Sequence, residues 1–170
     1  MKKYPSEVVQ FAEKTLLTWI RTDDVSKYSP ITQVYGVIFN EKGEILICRG
    51  SNTADWQIPG GSPEKGETIE QTLKREIEEE ADVLIKQIVP LGVQRVEYLE
   101  SSDKAIHYQA RFVALVDKVL PQTLDPDPKI NKVWQRKFIP HEKIAEFVKW
   151  GKTGNALFVD AIKVWNTLVK

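Results

Sequence analysis

From residue 68 onward, apolar residues return at every fourth position, Ile69, Leu73, Ile77 and Ala81. Because four residues are slightly more than one helical turn, this spacing predicts a helix over 68–81 with one apolar stripe. Thr68, with Gln71 three residues on, is a capping-box start for it. Elsewhere the period changes. Residues 31–39 alternate apolar and polar, the polar segment Asn40-Glu-Lys-Gly43 follows, and 45–48 is apolar again, which predicts a hairpin. Strand-like runs at 84–98, 106–116 and 133–139 come after the helix, and helical patterns at 141–150 and 155–169 close the chain. A sheet between helices is the expected outcome, an α/β fold.

The first thirty residues read differently. Val8, Ala12, Leu16, Trp19 and Ile20 outline an amphipathic helix over about 5–21, and 22–30 is a polar connection. The expected organisation is therefore an N-terminal helical extension, 1–30, packed on one domain at 31–170. A dimer arm, and with it a homodimer, or a substrate lid are the alternatives for that helix.

The helix at 68–81 also carries the chemistry. At about 100° per residue, Glu76, Glu79 and Glu80 fall on one face, Glu80 beside the apolar stripe, whereas Glu78 points to solvent. Like charges at this spacing repel by roughly 0.2–0.5 kcal/mol per pair on an open helix, and more when partly buried. A cation is needed to offset that repulsion. Mg²⁺ suits an oxygen-only donor set and is commonly bound by a few carboxylates together with substrate phosphates. Arg75 can share the task by forming a bidentate fork with a neighbouring carboxylate. A solvated acidic face is the simpler reading of a Glu-Glu-Glu run. The glycine turn ahead of the helix and the shared face of the three carboxylates argue for function instead.

Those residues carry a resemblance. The stretch 61–83, Gly61-Ser-Pro-Glu-Lys-Gly-Glu67, seven residues, then Arg75-Glu-Ile-Glu-Glu-Glu-Ala-Asp-Val83, resembles the Nudix box. It departs only at Asp82, where the family usually has glycine, just past the helix end. A left-handed backbone is wanted there, and aspartate is among the few other residues that tolerate one. The preceding Trp56-Gln-Ile-Pro-Gly60 is similar to the family's entry to the box. The resemblance implies a Nudix-like α/β/α sandwich with a mixed β-sheet between helices. It also implies hydrolysis of a nucleoside diphosphate linked to another group, X, with Mg²⁺ or Mn²⁺ as cofactor. By position, Glu76, Glu79 and Glu80 become metal ligands, with the Gly60 carbonyl completing the set. Either Glu76 or Glu79 orients or deprotonates the attacking water, and Arg75 and Glu67 hold the carboxylates in place.

Substrate determinants lie outside the box. Tyr98 stands where some family members that cleave dinucleoside polyphosphates carry a tyrosine. Trp56 could floor a base pocket, Arg49 and Arg95 could clamp phosphate, and packing or solvent exposure is the ordinary alternative for each. His107 could move a proton, though ordinary hydrogen bonding is the commoner role. Asp125 or Asp127, in the segment 124–128, could add a carboxylate to the metal set, with a solvated turn as the simpler expectation.

Composition narrows the partners. The chain has 170 residues, 42% hydrophobic and 28% charged, enough for one well-buried domain. Its 24 basic and 24 acidic residues give a net charge of zero, so no global field gathers long nucleic acid. No apolar run suggests a membrane span, and a single cysteine, Cys48, excludes an intramolecular disulfide framework. A cytoplasmic enzyme on a small nucleotide-like diphosphate is the resulting expectation. A non-catalytic nucleotide-binding or regulatory module of the same family would be expected to lack a box carboxylate, and all four stand. An isomerase on this fold needs a cysteine at the reacting carbon, and Cys48 falls in the early hairpin, most simply as a core residue.

Overall fold

The structure is a computed structural model that describes residues 4–101, 103–127, 129 and 132–170. Its centre is an eight-stranded sheet in the order β1-β2-β6-β7-β3-β4-β8, with the short β5 paired to β3. The strands are β1 (Ser6–Gln10), β2 (Lys14–Arg21), β3 (Ile31–Phe39), β4 (Glu44–Arg49), β5 (Gly60–Gly61), β6 (Val83–Tyr98), β7 (His107–Val119) and β8 (Gln135–Pro140). The β3–β7 pair is parallel and every other pair antiparallel, so the sheet is mixed.

Alternation along β3 shows how the layers form. Val34 and Ile38 pack on one face with Leu73, Ile77 and Ala81 of α1 (Ile69–Ala81). Val37 and Phe39 pack on the other with Leu157, Phe158 and Ala161 of α3 (Gly151–Leu168). Each period-2 strand therefore feeds two cores, and the result is the expected α/β/α sandwich. The capping box is present at the start of α1: Thr68 Oγ1 accepts from the Gln71 amide at 3.2 Å, and Gln71 Oε1 accepts from the Thr68 amide at 2.8 Å. The hairpin over 31–49 also forms as expected, although β3 and β4 pair only at Phe39 and Ile45 and then splay apart. The strap from Gln57 to Gly61 fills the gap. Gln57 and Cys48 exchange backbone hydrogen bonds of 2.8 and 3.0 Å, and Tyr35 faces Gly60 in register.

Residues 5–21 are not helical. They form the β1–β2 hairpin, and β2 joins the sheet by pairing with β6 from Thr15↔Tyr98 to Arg21↔Gly92. Val8 and Val9, Thr15, Thr18 and Ile20 are β-branched, and an open sheet edge at β6 is a stronger partner for them than their weak helical periodicity. The helix expected at 141–150 reduces to a 3₁₀ turn at His141–Lys143 and the four residues of α2 (Ile144–Phe147). The last helix begins at Gly151, earlier than its apolar pattern suggested.

That early start has a cause outside the helix. Trp150, at the N-cap of α3, makes no side-chain capping bond. Glu7 of β1 supplies one instead: its carboxylate accepts from the amides of Lys152 at 3.0 Å and Thr153 at 2.6 Å, and from Thr153 Oγ1 at 2.8 Å. A negative charge is favoured at a helix N-terminus. Burial works against ionisation of Glu7, yet the bonds from Thr153 and Lys152 outweigh it, and the carboxyl sits below its ordinary value of 4.5.

Glu7→Gln should therefore lower stability by about 1 kcal/mol near neutral pH, allowing for solvent screening of a half-buried group. A group whose folded value is depressed stabilises above its unfolded value and loses that contribution as pH falls through the folded one. Urea midpoints of the two proteins should differ at neutral pH and converge well below the ordinary value of 4.5.

Candidate active site

The strap, the turn before α1 and the C-terminal half of α1 bring the acidic residues together. Gly60 and Gly61 lie in the plane of the sheet beside β3. A Cβ on Gly60 would sit 2.2 Å from the Val34 carbonyl oxygen, which is backbone and cannot give way. A Cβ on Gly61 would sit 2.4 Å from a carboxylate oxygen of Glu76. Only glycine lets the strap approach the sheet this closely at position 60, whereas at 61 the neighbour is the end of the Glu76 side chain.

Arg75 is the hub. Its Nε and Nη2 form a fork on Glu67 at 2.7 and 3.0 Å, its Nη1 donates to Glu76 at 2.9 Å and Glu79 at 3.0 Å, and its Nη2 donates to the Ser62 carbonyl at 3.1 Å. Glu67 accepts further bonds from the Glu64 amide and Thr72 Oγ1, both at 2.9 Å. The Arg75 fork, with the Glu64 amide, holds the Glu67 carboxyl down to about 2. Glu76 and Glu79 are pushed above the ordinary carboxylate range, each by burial first, with Arg75 pulling the other way.

Glu80 lies deepest, 7% exposed. Its Oε2 accepts from the Gly60 amide at 3.0 Å and lies 3.6 Å from Cys48 Sγ. Burial pushes its carboxyl up to about 8; the Gly60 amide counters this, and the charges of Glu76 and Asp125 add to it. Cys48 is fully buried, as expected of a core residue, and burial followed by the Glu80 charge raises its thiol well above the ordinary range. It is an inert thiol by this environment.

Asp125 is not in a solvated turn. It is 7% exposed, accepts from Trp134 Nε1 at 2.7 Å and from the Asp127 amide at 2.9 Å, and its charge helps to raise Glu79 and Glu80. The Asp127 carboxylate stays local and accepts from the Lys129 amide. Pro128 lies outside the described residues. A tryptophan nine residues beyond an aspartate gives no period that would have disclosed the Asp125 pocket in advance.

Asp82 adopts the left-handed conformation expected of it, φ 48° and ψ 47°. Its carboxylate also accepts from the Thr123 amide at 3.0 Å and Thr123 Oγ1 at 2.7 Å. Aspartate thus contributes a tether that glycine would lack.

The remaining predicted residues divide between two recesses. Arg49 stacks its guanidinium 4.5 Å from the Trp56 ring centre and bonds to Gln135 and Asn52; both Arg49 and Trp56 line a cavity of about 380 Å³. Tyr98 and His107 line a separate cavity of about 710 Å³, with ring centres 5.6 Å apart and Lys104 over the tyrosine. Arg95 is paired with Glu97 at 2.6 Å. The larger cavity lies on the α3 face of the sheet, beside the strap, and Tyr35, Gln57, Gln94, Arg111 and Trp150 also form its walls. Arg111 and Gln94 were passed over because each interrupts an apolar strand run without belonging to a motif.

The family model for the NUDIX domain matches residues 30–159. The chain belongs to the Nudix family. The carboxylate hub is its Nudix box, and the mixed sheet between helices is the fold of solved relatives. The chain is similar over 73 residues, at 36% identity, to an RNA pyrophosphohydrolase of Pseudoalteromonas translucida, covering 43% of this chain and 38% of that protein. It is similar over 53 residues, at 42% identity, to an 8-oxo-dGTP diphosphatase of Haemophilus influenzae, covering 29% and 39%. Among structures, the Bacillus subtilis pyrophosphohydrolase BsRppH superposes with a TM-score of 0.63 at 16% identity, over 87% of this chain and 91% of that one. The Nudix chain thus spans less than half the length of the curated relatives it matches.

The Nudix box departure at Asp82 yields a stability test. Asp82→Ala combines a left-handed backbone without glycine and an unpartnered Thr123 amide, and should cost about 2 kcal/mol; Asp82→Gly loses only the tether and should cost about 1 kcal/mol. Urea denaturation of the two variants should rank them in that order.

Proposed function

We propose that the chain is a metal-dependent pyrophosphohydrolase that cleaves a nucleoside diphosphate linked to a further group, X. The observation that carries this reading is the carboxylate cluster at the Gly60–Gly61 strap: Arg75 gathers Glu67, Glu76 and Glu79, and the Gly60 amide holds Glu80. Its donor chemistry suits a hard divalent cation: carboxylates only, close together, with Glu80 and Glu76 held up by burial that a cation would relieve. As they stand, no three acidic, histidine or cysteine groups among the described residues converge on one point, since Arg75 draws Glu76 and Glu79 to itself. Glu76, Glu79 and Glu80, with the Gly60 carbonyl, would hold Mg²⁺ or Mn²⁺, which supplies Lewis-acid stabilisation of the phosphoryl oxygens and a more acidic attacking water.

The residues of the chain do the rest. The Glu79 side chain is 27% exposed against 14% for Glu76, so Glu79 is the one water reaches, and it is assigned as the base that takes the water proton. As the water oxygen bonds to phosphorus, the bond from phosphorus to the bridging oxygen breaks, and the electron pair leaves with the departing phosphate. Arg75 keeps Glu79 and Glu76 aimed during this step, and Glu67, locked to Arg75, keeps Arg75 in place. The names of its relatives, an RNA pyrophosphohydrolase and an 8-oxo-dGTP diphosphatase, support a nucleotide-like substrate. Among the described residues no helix is long and apolar enough to cross a membrane. Action on small diphosphates in the cytoplasm is the corresponding proposal.

A panel of nucleoside triphosphates, ADP-ribose, nucleotide sugars and dinucleoside polyphosphates, incubated with Mg²⁺ or with chelator, tests this reading. Cleavage of one group should require the metal, and Glu80→Gln should lower kcat/KM by at least about a hundredfold while leaving the thermal midpoint within a few degrees. Full activity of the variant would remove Glu80 from the site. Tight binding of a nucleotide without turnover in the unaltered protein would identify a binding module instead.

A further inference from the structure

The large cavity contains a charge that the hydrolytic site does not use. Arg111, on β7, is 3% exposed. Its guanidinium lies 4.4 Å from the Tyr35 ring centre and 5.4 Å from that of Trp150. The hydrogen bonds formed by that guanidinium go only to neutral oxygens, the Ala110 carbonyl at 3.2 Å and Gln109 Oε1 at 2.7 Å, and its Nε is buried with no acceptor. Among the described residues no carboxylate forms a salt bridge with it. Burial draws the guanidinium down only to about 10, so it remains cationic at neutral pH.

A second donor in the same wall is also unpartnered. Gln94 is 5% exposed, pairs in register with Gln109 across β6 and β7, and its Nε2 is buried without an acceptor. Two unsatisfied donors in one wall are unusual, because a buried polar group left unbonded costs about 1–3 kcal/mol. The rim continues the same sign. Lys149 lines the mouth, whereas Glu13 is already engaged by Lys104 and by Ser101 Oγ. Aromatic faces soften the burial of the Arg111 charge, but they supply no in-plane acceptor for Nε–H, and a guanidinium edge matches a pair of anionic oxygens.

We propose that Arg111 and Gln94 recognise the group X, and that X carries an acidic oxygen pair, a phosphate monoester or a carboxylate, rather than an uncharged sugar. The proposal rests on the pyrophosphohydrolase reading of the strap and extends it. The diphosphate lies at Gly60–Gly61, Tyr35 stands between the strap and Arg111, and the distal half of the substrate extends across the sheet into the cavity. Tyr35 faces Gly60 in register on one side and Arg111 on the other, so a single residue separates the two regions.

Calorimetric binding, which needs no turnover, separates this proposal from the hydrolase reading. UDP-glucuronate against UDP-glucose examines the carboxylate; ADP-ribose with and without a phosphate monoester on its terminal ribose examines the phosphate. Unaltered protein should bind at least one acidic member about tenfold or more tightly than its neutral counterpart. The preference should fall to near one in Arg111→Met, shrink without vanishing in Arg111→Lys, and weaken in Gln94→Leu. The methionine variant removes a buried charge, so its thermal midpoint should not drop; were it to misfold, Gln94→Leu and Arg111→Lys still decide. Equal affinity for acidic and neutral members, a preference untouched by the variants, or no binding of any probe would overturn the proposal. So would dependence on Arg111 seen only with GTP, which would assign the cavity to an oxopurine base. Loss of metal-dependent cleavage with the acid preference intact would instead count against the hydrolase reading alone.

Discussion

The fork of Arg75 on Glu67 is the constraint on which the site depends. Four carboxylates within fourteen residues repel one another, and a helix does not hold them together by itself. Glu67 lies one residue before the cap of α1, and its fork turns the arginine so that Nη1 meets Glu76 and Glu79 at once. One residue thereby offsets part of the repulsion among three of the carboxylates and connects the loop, through the Ser62 carbonyl, to the helix. A lysine could supply charge but not the five directed donors.

The sheet then decides what this cluster can reach. Splaying of β3 from β4 opens a slot that the strap closes, and the closure places Gly60 and Gly61 between two environments. Glu80 and Cys48 lie on the α1 side, while Tyr35, Arg111 and Trp150 lie on the α3 side. The first side is rich in acceptors and the second in donors. A molecule with a diphosphate centre and a second polar half can engage both without the sheet moving, because the two regions meet at one strand.

Much of this was legible from residues alone. Thr68 with Gln71, and the four-residue recurrence from Ile69 to Ala81, identify α1 because every signal there is local. The alternation through β3 likewise names both cores. The hairpin at 5–21 was not legible as such, since Val8, Ala12, Leu16 and Trp19 satisfy a helical period, and only the open edge of β6, some eighty residues away, makes them strands. Asp125 is nameable as a spare carboxylate, but its burial is not legible, for a related reason: the partner that encloses it is Trp134. Arg49, Trp56 and Tyr98 stand out in the sequence as aromatic or basic groups suited to a substrate, but their division between two recesses depends on which face of the sheet each strand presents. Periodicity reveals what a segment does for itself and is silent about partners distant in the chain.

The bond between Glu7 and the start of α3 spans 146 positions. During synthesis the carboxylate of the first strand therefore finds Thr153 only after 146 further residues have been made. Long-range contacts of this kind slow folding and prolong exposure of unpaired strand edges. The box helix, by contrast, is made of neighbours. The Arg75 hub can therefore form early, from residues close together in the chain, whereas the contact that anchors the start of α3 joins segments 146 positions apart.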